Sequence, residues 1–437
     1  MSIAPQVHPL FKSPLPANWK LVTADAIKSP DKGACVAGPF GSDISSKYFC
    51  DSGVPIIRGN NLRRDLTRFV ADGFAFVSEE RATKYKAQHV KAGDLVFTCW
   101  GTVGQVGMIP ANGPFPEYII SNKQLKLRVE PSIADPLYAF YYFAGPAMVD
   151  HILGKAIGAA VPGINLGILK ALPFVLPPLP VQRRIAGILS AYDELIENSQ
   201  RRIRLLEDMA RALYREWFVH FRFPGHESVP RLPSALGDIP QGWEVKTAPE
   251  CIDFNPRVTV PREGEKPFLP MGCLSTGSMI ITDIESRTGN SGSKFQNGDT
   301  LFARITPCLE NGKTGFVQFL PDASAVAFGS TEFIVMRSRT LTPEFVYCLA
   351  RSDEFRGNAI KSMSGATGRQ RVQEKCFDGY LICQPPKNLL ERFAAIVQPS
   401  FQLIHKLHLR IENLRRTRDL LLPRLLSGQV ALAEAAN

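Results

Sequence analysis

The chain lacks any apolar run near the roughly 18 residues that a membrane-crossing helix needs. Its first residues, MSIAPQVHPLFKSPLPANW, lack the charged-then-apolar pattern of a secretory signal. These two absences make the cytoplasm the expected compartment. Cysteine is sparse, and no CxxC pair occurs: Cys35, Cys50, Cys99, Cys251, Cys273, Cys308, Cys348, Cys376 and Cys383 stand singly. An odd, scattered set argues against a disulfide framework and against a zinc site. Small buried apolar residues are the expected reading. The seven histidines are dispersed, and His405 and His408, three apart, are read as helix-surface residues rather than metal ligands.

What is present is ordinary in bulk. A chain of 437 residues, 45% of them hydrophobic, can build two or three domains with their own cores. The net charge of +10 suits a polyanionic partner, because cations release counterions from a phosphate backbone.

The order of residues is less ordinary, because the chain repeats itself. At a fixed offset of 208, Pro177 and Pro178 match Pro385 and Pro386, Arg184 matches Arg392, and Ile188 matches Ile396. Leu195, Ile203, Leu206 and Leu213 match Leu403, Ile411, Leu414 and Leu421 without a gap. Upstream the match is looser. Trp19 faces Trp243, Gly93-Asp94 faces Gly298-Asp299, and GKAIGAAVPGIN (154–165) echoes SMSGATGRQRVQ (362–373). Self-similarity of this kind organises a fold before any local pattern does. The implied order is a block at 1–175, a helical stretch at 176–219, a linker at 220–240, a second block at 241–384, a second helical stretch at 385–427 and a tail at 428–437.

Each helical stretch follows a proline-rich stop and carries apolar residues in steps of three and four. In the first these are Ile185, Ile188, Tyr192, Leu195, Ile203, Leu206 and Leu213; in the second, Phe393, Ile396, Leu403, Leu407, Ile411, Leu414 and Leu421. A straight helix over 181–219 would span roughly 58 Å at 1.5 Å per residue. One narrow apolar stripe on so long a helix needs a partner, and the other copy is the simplest one, in antiparallel sense. The bland alternative folds each helix back on its own block. Pro399 should kink or restart the second helix, and Pro423 should close it. The blocks are expected to be mixed α/β. QLKLRVE (124–130) alternates like a half-buried strand. DLVFTCW, DTLFARI and TEFIVM suggest further strands, while LYAFYYF and PEFVYCLA suggest short core helices. HPLFKSPLP and 220–240 have linker composition.

Two catalytic look-alikes fail. ENGKT (310–314) ends like a phosphate loop, but Pro307 stands where the leading glycine must be. DPLY (135–138) resembles an aminomethyltransferase motif without its second proline, and is better explained by Asp135 capping a helix. The remaining polar candidates suit nucleic acid. RGNNLRRDLTR holds Arg58, Asn60, Asn61, Arg63, Arg64 and Arg68; the second block offers Arg257, Arg262, Arg304, Lys313, Arg369, Gln370 and Arg371. Arginine can read guanine and asparagine adenine through paired hydrogen bonds, although most such contacts go to phosphates.

GPFGSDI (38–44), VPIIRGNNL (54–62), LPPLPVQRRIAGILSAYDELIENSQRRIRLLEDMARALYREWF (176–218) and LLERFAAI through LLLPRLLSGQV resemble the specificity subunit of type I restriction-modification systems, over essentially the whole chain. The resemblance implies an α+β chain of two α/β target-recognition domains joined by two long helices that form an antiparallel coiled coil, with pseudo-two-fold internal symmetry. Each block would read half of a two-part DNA target, and because the blocks differ in motif the target would be asymmetric. The resemblance further implies no catalytic site, cofactor or metal on this chain. It implies two methyltransferase subunits that bring S-adenosylmethionine, and motor-nuclease subunits that use ATP and Mg. The competing readings are an enzyme acting alone, a coiled-coil adaptor without DNA specificity, and an orphan DNA-binding protein with no restriction partner.

Overall fold

The computed structural model describes residues 7–41, 43–158, 162–365, 368–430 and 432. By contacts the chain divides into two compact units. Unit 1 is Met1–Ile196 with Asn413–Asn437, and unit 2 is Glu197–Glu412. Two long helices, Leu179–Tyr214 and Lys387–Leu426, therefore each contribute to both units.

The strands of unit 1 are β1 (Lys20–Thr23), β2 (Cys35–Ala37), β3 (Val54–Ile57), β4 (Ala75–Val77), β5 (His89–Val90), β6 (Leu95–Thr98), β7 (Val106–Met108), β8 (Tyr118–Ile120), β9 (Gln124–Leu127) and β10 (Pro173–Leu176). Those of unit 2 are β11 (Arg231–Ser234), β12 (Gly237–Pro240), β13 (Glu244–Thr247), β14 (Ile252–Phe254), β15 (Lys266–Leu269), β16 (Glu285–Arg287), β17 (Ser293–Phe295), β18 (Thr300–Ala303), β19 (Thr314–Phe316), β20 (Ala327–Gly329), β21 (Phe333–Ser338) and β22 (Leu381–Gln384). Unit 1 has sheets ordered β2-β9-β6-β7 and β4-β3-β8-β5, with β1 paired to β10. Unit 2 repeats this as β14-β21-β18-β19 and β16-β15-β20-β17, with β13 paired to β22. Even the single parallel pairing recurs, β3 with β8 and β15 with β20.

The matched Gly-Asp pairs show why the repeat survives at those positions. Gly93 and Gly298 take positive φ of 85° and 88°, a turn that glycine adopts without strain. The following aspartates, each 1% exposed, receive two bonds from one arginine. Arg128 donates Nε and a terminal nitrogen to Asp94, both at 2.7 Å, and Arg337 does the same to Asp299, also at 2.7 Å. Such two-point arginine–carboxylate pairs fix orientation as well as charge. Here they lock strand β9 to the turn before β6, and β21 to the turn before β18.

The core of unit 1 centres on the helix Pro136–Ala144, where Tyr138 through Phe143 are wholly buried. Ile185, Ala186 and Leu189 of the first long helix join that core, and so do Leu422, Leu425 and Leu426 of the second. In unit 2 the pairing involves the opposite ends. Phe393 packs on Trp217 and Phe218, with ring centroids 6.1 and 4.9 Å apart. Within each unit, then, the start of one helix meets the end of the other, which is antiparallel pairing.

Several expectations need correction. Leu195 and Ile396 do not lie on the buried stripe; they are 42% and 53% exposed. Their neighbours Ile196 and Val397, at 5% and 1%, occupy it instead. Leu206 is only half-buried, as are Ile188, Tyr192, Leu213, Leu403, Leu414 and Leu421, while Ile185, Ile203, Phe393, Leu407 and Ile411 are buried. The second helix does not restart at Pro399, and Pro423 does not close it, for one helix runs from Lys387 to Leu426. Each proline removes one amide, which frees the carbonyl four residues back. Those carbonyls belong to Ala395 and Asp419, both exposed, so solvent can satisfy them. Strand β9 is buried on both faces rather than alternately. Residues 220–240 contain a hairpin, β11 with β12. HPLFKSPLP is no linker either. His8 is fully buried, accepts bonds from the amides of Leu10 (3.1 Å) and Phe11 (3.3 Å), and is pushed down to about 4 by burial.

Candidate nucleic-acid interface

In unit 1 the arginine-rich stretch follows β3. A 3-10 turn, Gly59–Asn61, opens it. Asn61 is fully buried; its Oδ1 accepts from the Arg58 amide at 2.9 Å, and its Nδ2 donates to the carbonyls of Val70 (3.0 Å) and Asp72 (2.8 Å). Both polar atoms of its side chain are bonded inside the protein, so it ties the loop and does not reach a base. Asn60 donates to the Gly73 carbonyl at 3.0 Å. Arg68 is also turned inward, toward the Tyr141 hydroxyl (3.5 Å) and Asp193 (3.9 Å). Arg64 donates to the Val103 carbonyl, and the Arg58 guanidinium lies over the Phe49 ring at 5.8 Å. Arg63 is exposed and is the member of the set with no ion pair or hydrogen bond among the described residues.

In unit 2, Arg304 donates to the Val372 carbonyl (3.1 Å), Lys313 to that of Met271 (3.1 Å), and Arg371 pairs with Glu332 at 2.7 Å. These three are held by the protein, because each lies beside a loop whose carbonyls or carboxylate need a donor. Arg257 and Arg262 are exposed; Arg257 lines a cleft of about 520 Å³ with Asn255, Ser293 and Lys294. Arg369 is exposed and Gln370 half-buried, on a loop whose ends, Ser364 and Arg371, exchange backbone bonds. The equivalent loop of unit 1 closes between Ile157 and Gly163 and carries no arginine. Its tip, and Ala366 and Thr367 in the second copy, lie outside the described residues. Of the arginines in the two sets, Arg58, Arg63, Arg64, Arg257, Arg262, Arg369 and Arg371 are exposed, and of these Arg58, Arg64 and Arg371 are engaged by neighbouring groups of the protein.

Sequence reasoning missed an aromatic cleft in unit 1. Phe40, 84% exposed, and Trp100, 45% exposed, line a cleft of about 770 Å³ with Asn122 and Lys123. The GPFG turn is forced there: a Cβ at Gly38 would sit 1.8 Å from the Ser121 carbonyl oxygen. A phenylalanine between glycines, with no apolar period around it, was the available signal. Exposed aromatic rings beside a cation suit stacking on bases.

The decoys resolve as expected on geometry. Asp135 caps its helix through the amides of Leu137 (3.0 Å) and Tyr138 (2.9 Å). In ENGKT, the Gly312 carbonyl accepts from Arg351 at 2.7 Å, inside the turn before β19. Among the described residues no group of three or more His, Cys, Asp or Glu could hold a metal, and no helix is long and apolar enough to cross a membrane.

Beside this doubled sheet domain with its basic and aromatic loops and two amphipathic helices, residues 41–208 match the family described as the type I restriction modification DNA specificity domain. The relatives it resembles are specificity subunits of type I restriction enzymes. It is 23% identical over 96% of its length to the MjaIX specificity subunit of Methanocaldococcus jannaschii, covering 95% of that protein. It is 33% identical over 34% of its length to the EcoEI specificity subunit of Escherichia coli, covering 26% of that protein. Its fold resembles the crystal structure of the S subunit from M. genitalium, with a TM-score of 0.55 and 14% identity, covering 93% of this chain and 96% of that one.

Proposed function

We propose that this chain reads a two-part, asymmetric DNA target, one half per block, and carries no catalysis of its own. In this reading it scaffolds two adenine-methyltransferase subunits that bring S-adenosylmethionine. Motor-nuclease subunits using ATP and Mg join for cleavage. The observation that carries the reading is the strand-for-strand identity of order in the two units combined with unlike chemistry in equivalent loops. After β3 the loop is LRRDLTR; after β15 the same position holds LSTGSMI. One scaffold offering two different loops reads two different half-sites.

The test is co-purification with the methyltransferase subunit, followed by methylation sequencing of a host with and without the gene. A gapped adenine-methylation motif with unlike halves is the expected result. Methylation with no two-part motif would reject the reading, and binding with a shallow salt slope and no sequence preference would favour an adaptor.

A further inference from the structure

In unit 1 the loop Leu62–Arg68 passes beside β7, where the Met108 amide donates to the Arg68 carbonyl at 2.9 Å. In unit 2 the loop Leu274–Ile281 passes beside β19, where the Phe316 amide donates to the Met279 carbonyl at 3.0 Å. Glycines mark both crossings. A Cβ at Gly107 would lie 2.4 Å from Leu62 Cδ2, and one at Gly315 would lie 2.7 Å from Leu274 Cδ2. These loops are one element of the repeat, present twice.

Each loop is fastened by a buried carboxylate of the first long helix and by a guanidinium. In unit 1, Asp193, 4% exposed, pairs with Arg418 at 2.6 Å and accepts the Tyr141 hydroxyl, while Arg68 stands 3.9 Å away. Arg418 also donates to the Asp65 carbonyl at 3.3 Å. In unit 2, Glu207, 3% exposed, accepts the Ser278 hydroxyl at 2.6 Å and the Met279 amide at 2.8 Å. Arg351 donates to the Thr276 carbonyl at 3.1 Å. Packing alone does not require these charges. At the repeat position of Asp193 stands Phe401, which packs on Phe316 and Tyr347 at 5.1 and 5.5 Å. A buried ion pair is frequently no more stable than apolar residues of similar volume. What the carboxylates add is a directional tie to one loop each.

We propose that Asp193 and Glu207 are positioning residues for DNA reading, each holding the loop of its own unit and thereby setting base discrimination at one half-site. The inference rests on the reading that each block reads one half-site. Full-length chain with its methyltransferase subunits is assayed for methylation of the cognate target and of targets carrying single base changes in either half. The unsubstituted chain is the frame: if it shows no two-part target, the proposed function falls, and this inference with it.

Asp193→Leu combined with Arg418→Met replaces the pair by apolar volume. Glu207→Leu removes the acceptor, and Glu207→Gln keeps one acceptor oxygen. The double variant is expected to lower discrimination about tenfold at one half-site only, the scale of one mismatched base pair. Glu207→Leu is expected to do so at the other half-site only, and Glu207→Gln to stay close to the unsubstituted chain. If Glu207→Leu melts below the assay temperature, Ser278→Ala, which deletes the hydroxyl donor alone, carries the same expectation. A normal two-part target with discrimination unchanged, or lowered equally in both halves by either variant, overturns the inference and leaves the proposed function standing.

Discussion

Arg63 is exposed and makes no hydrogen bond or ion pair with the described residues, whereas nearby Asn61 has committed every polar atom to its own loop. Their substitutions should therefore separate binding from stability. Arg63→Ala is expected to weaken DNA binding and lower the salt slope by about one, with urea unfolding unchanged. Asn61→Ala is expected to cost about 1–3 kcal/mol of stability, because it strands buried partners. Filter binding across salt concentrations and urea titration of both variants check the pair. Composition alone could not make this distinction. It shows that arginines and asparagines are abundant, but inward or outward facing is decided by which distant carbonyl lacks a donor, as with Arg304, Lys313 and Val372, Met271.

Lys126 is another residue whose role depends on distant partners. It is 2% exposed, donates to the carbonyls of Ala87 (2.6 Å) and His89 (2.9 Å), and is lowered by burial to about 8. The folded chain thus holds this proton more weakly than the unfolded chain does. Stability should rise as pH rises from about 8 toward the ordinary lysine value of 10.5, and fall on the way back. In Lys126→Met that rise should vanish. Parallel urea midpoints for both proteins across this window would contradict the account.

At the scale of elements, the long helices were the most legible part, because a stripe repeated every three or four residues over ten turns leaves little ambiguity. The register was less legible. Leu195-Ile196 and Ile396-Val397 are adjacent apolar pairs, and a step of three or of four satisfies the pattern equally. Tertiary packing chose Ile196 and Val397. Ile196→Ala is accordingly expected to cost about 2–5 kcal/mol, while Leu195→Ala stays within about 0.5 kcal/mol. Thermal melts that rank the two the other way would reject this register. The helix runs unbroken through Pro399 for a related reason. Propensity counts the lost hydrogen bond, but the freed Ala395 carbonyl lies on a solvent face where water replaces it.

Over the whole molecule the internal repeat was legible, and the Gly-Asp turns and opening tryptophans marked its two halves. Trp19 and Trp243 are both buried, at 9% and 7%. Trp243 packs on Phe218, Phe221 and Phe223 just beyond the first long helix, and Trp19 lies against Gly428 just beyond the second. The strand order within each block was not legible. A parallel pairing such as β3 with β8 joins residues some sixty positions apart, and no local pattern encodes it.

The contact-based division has a consequence for how the polypeptide is made. Unit 2 is a continuous stretch, Glu197–Glu412, but unit 1 is split, and its core contains Leu422, Leu425 and Leu426. Ribosomal synthesis runs from the N-terminus, and domains generally fold as they emerge. Here residues 1–196 must wait for residues 413–426 before their core closes, and residues 197–412 can finish ahead of them. A stop codon after Glu412 should accordingly damage the distant block at 1–175. Limited proteolysis of that truncated chain is expected to cut within residues 1–175 while 241–384 resists. Loss of residues 413–426 would thus cripple the block at 1–175 and spare the nearer one.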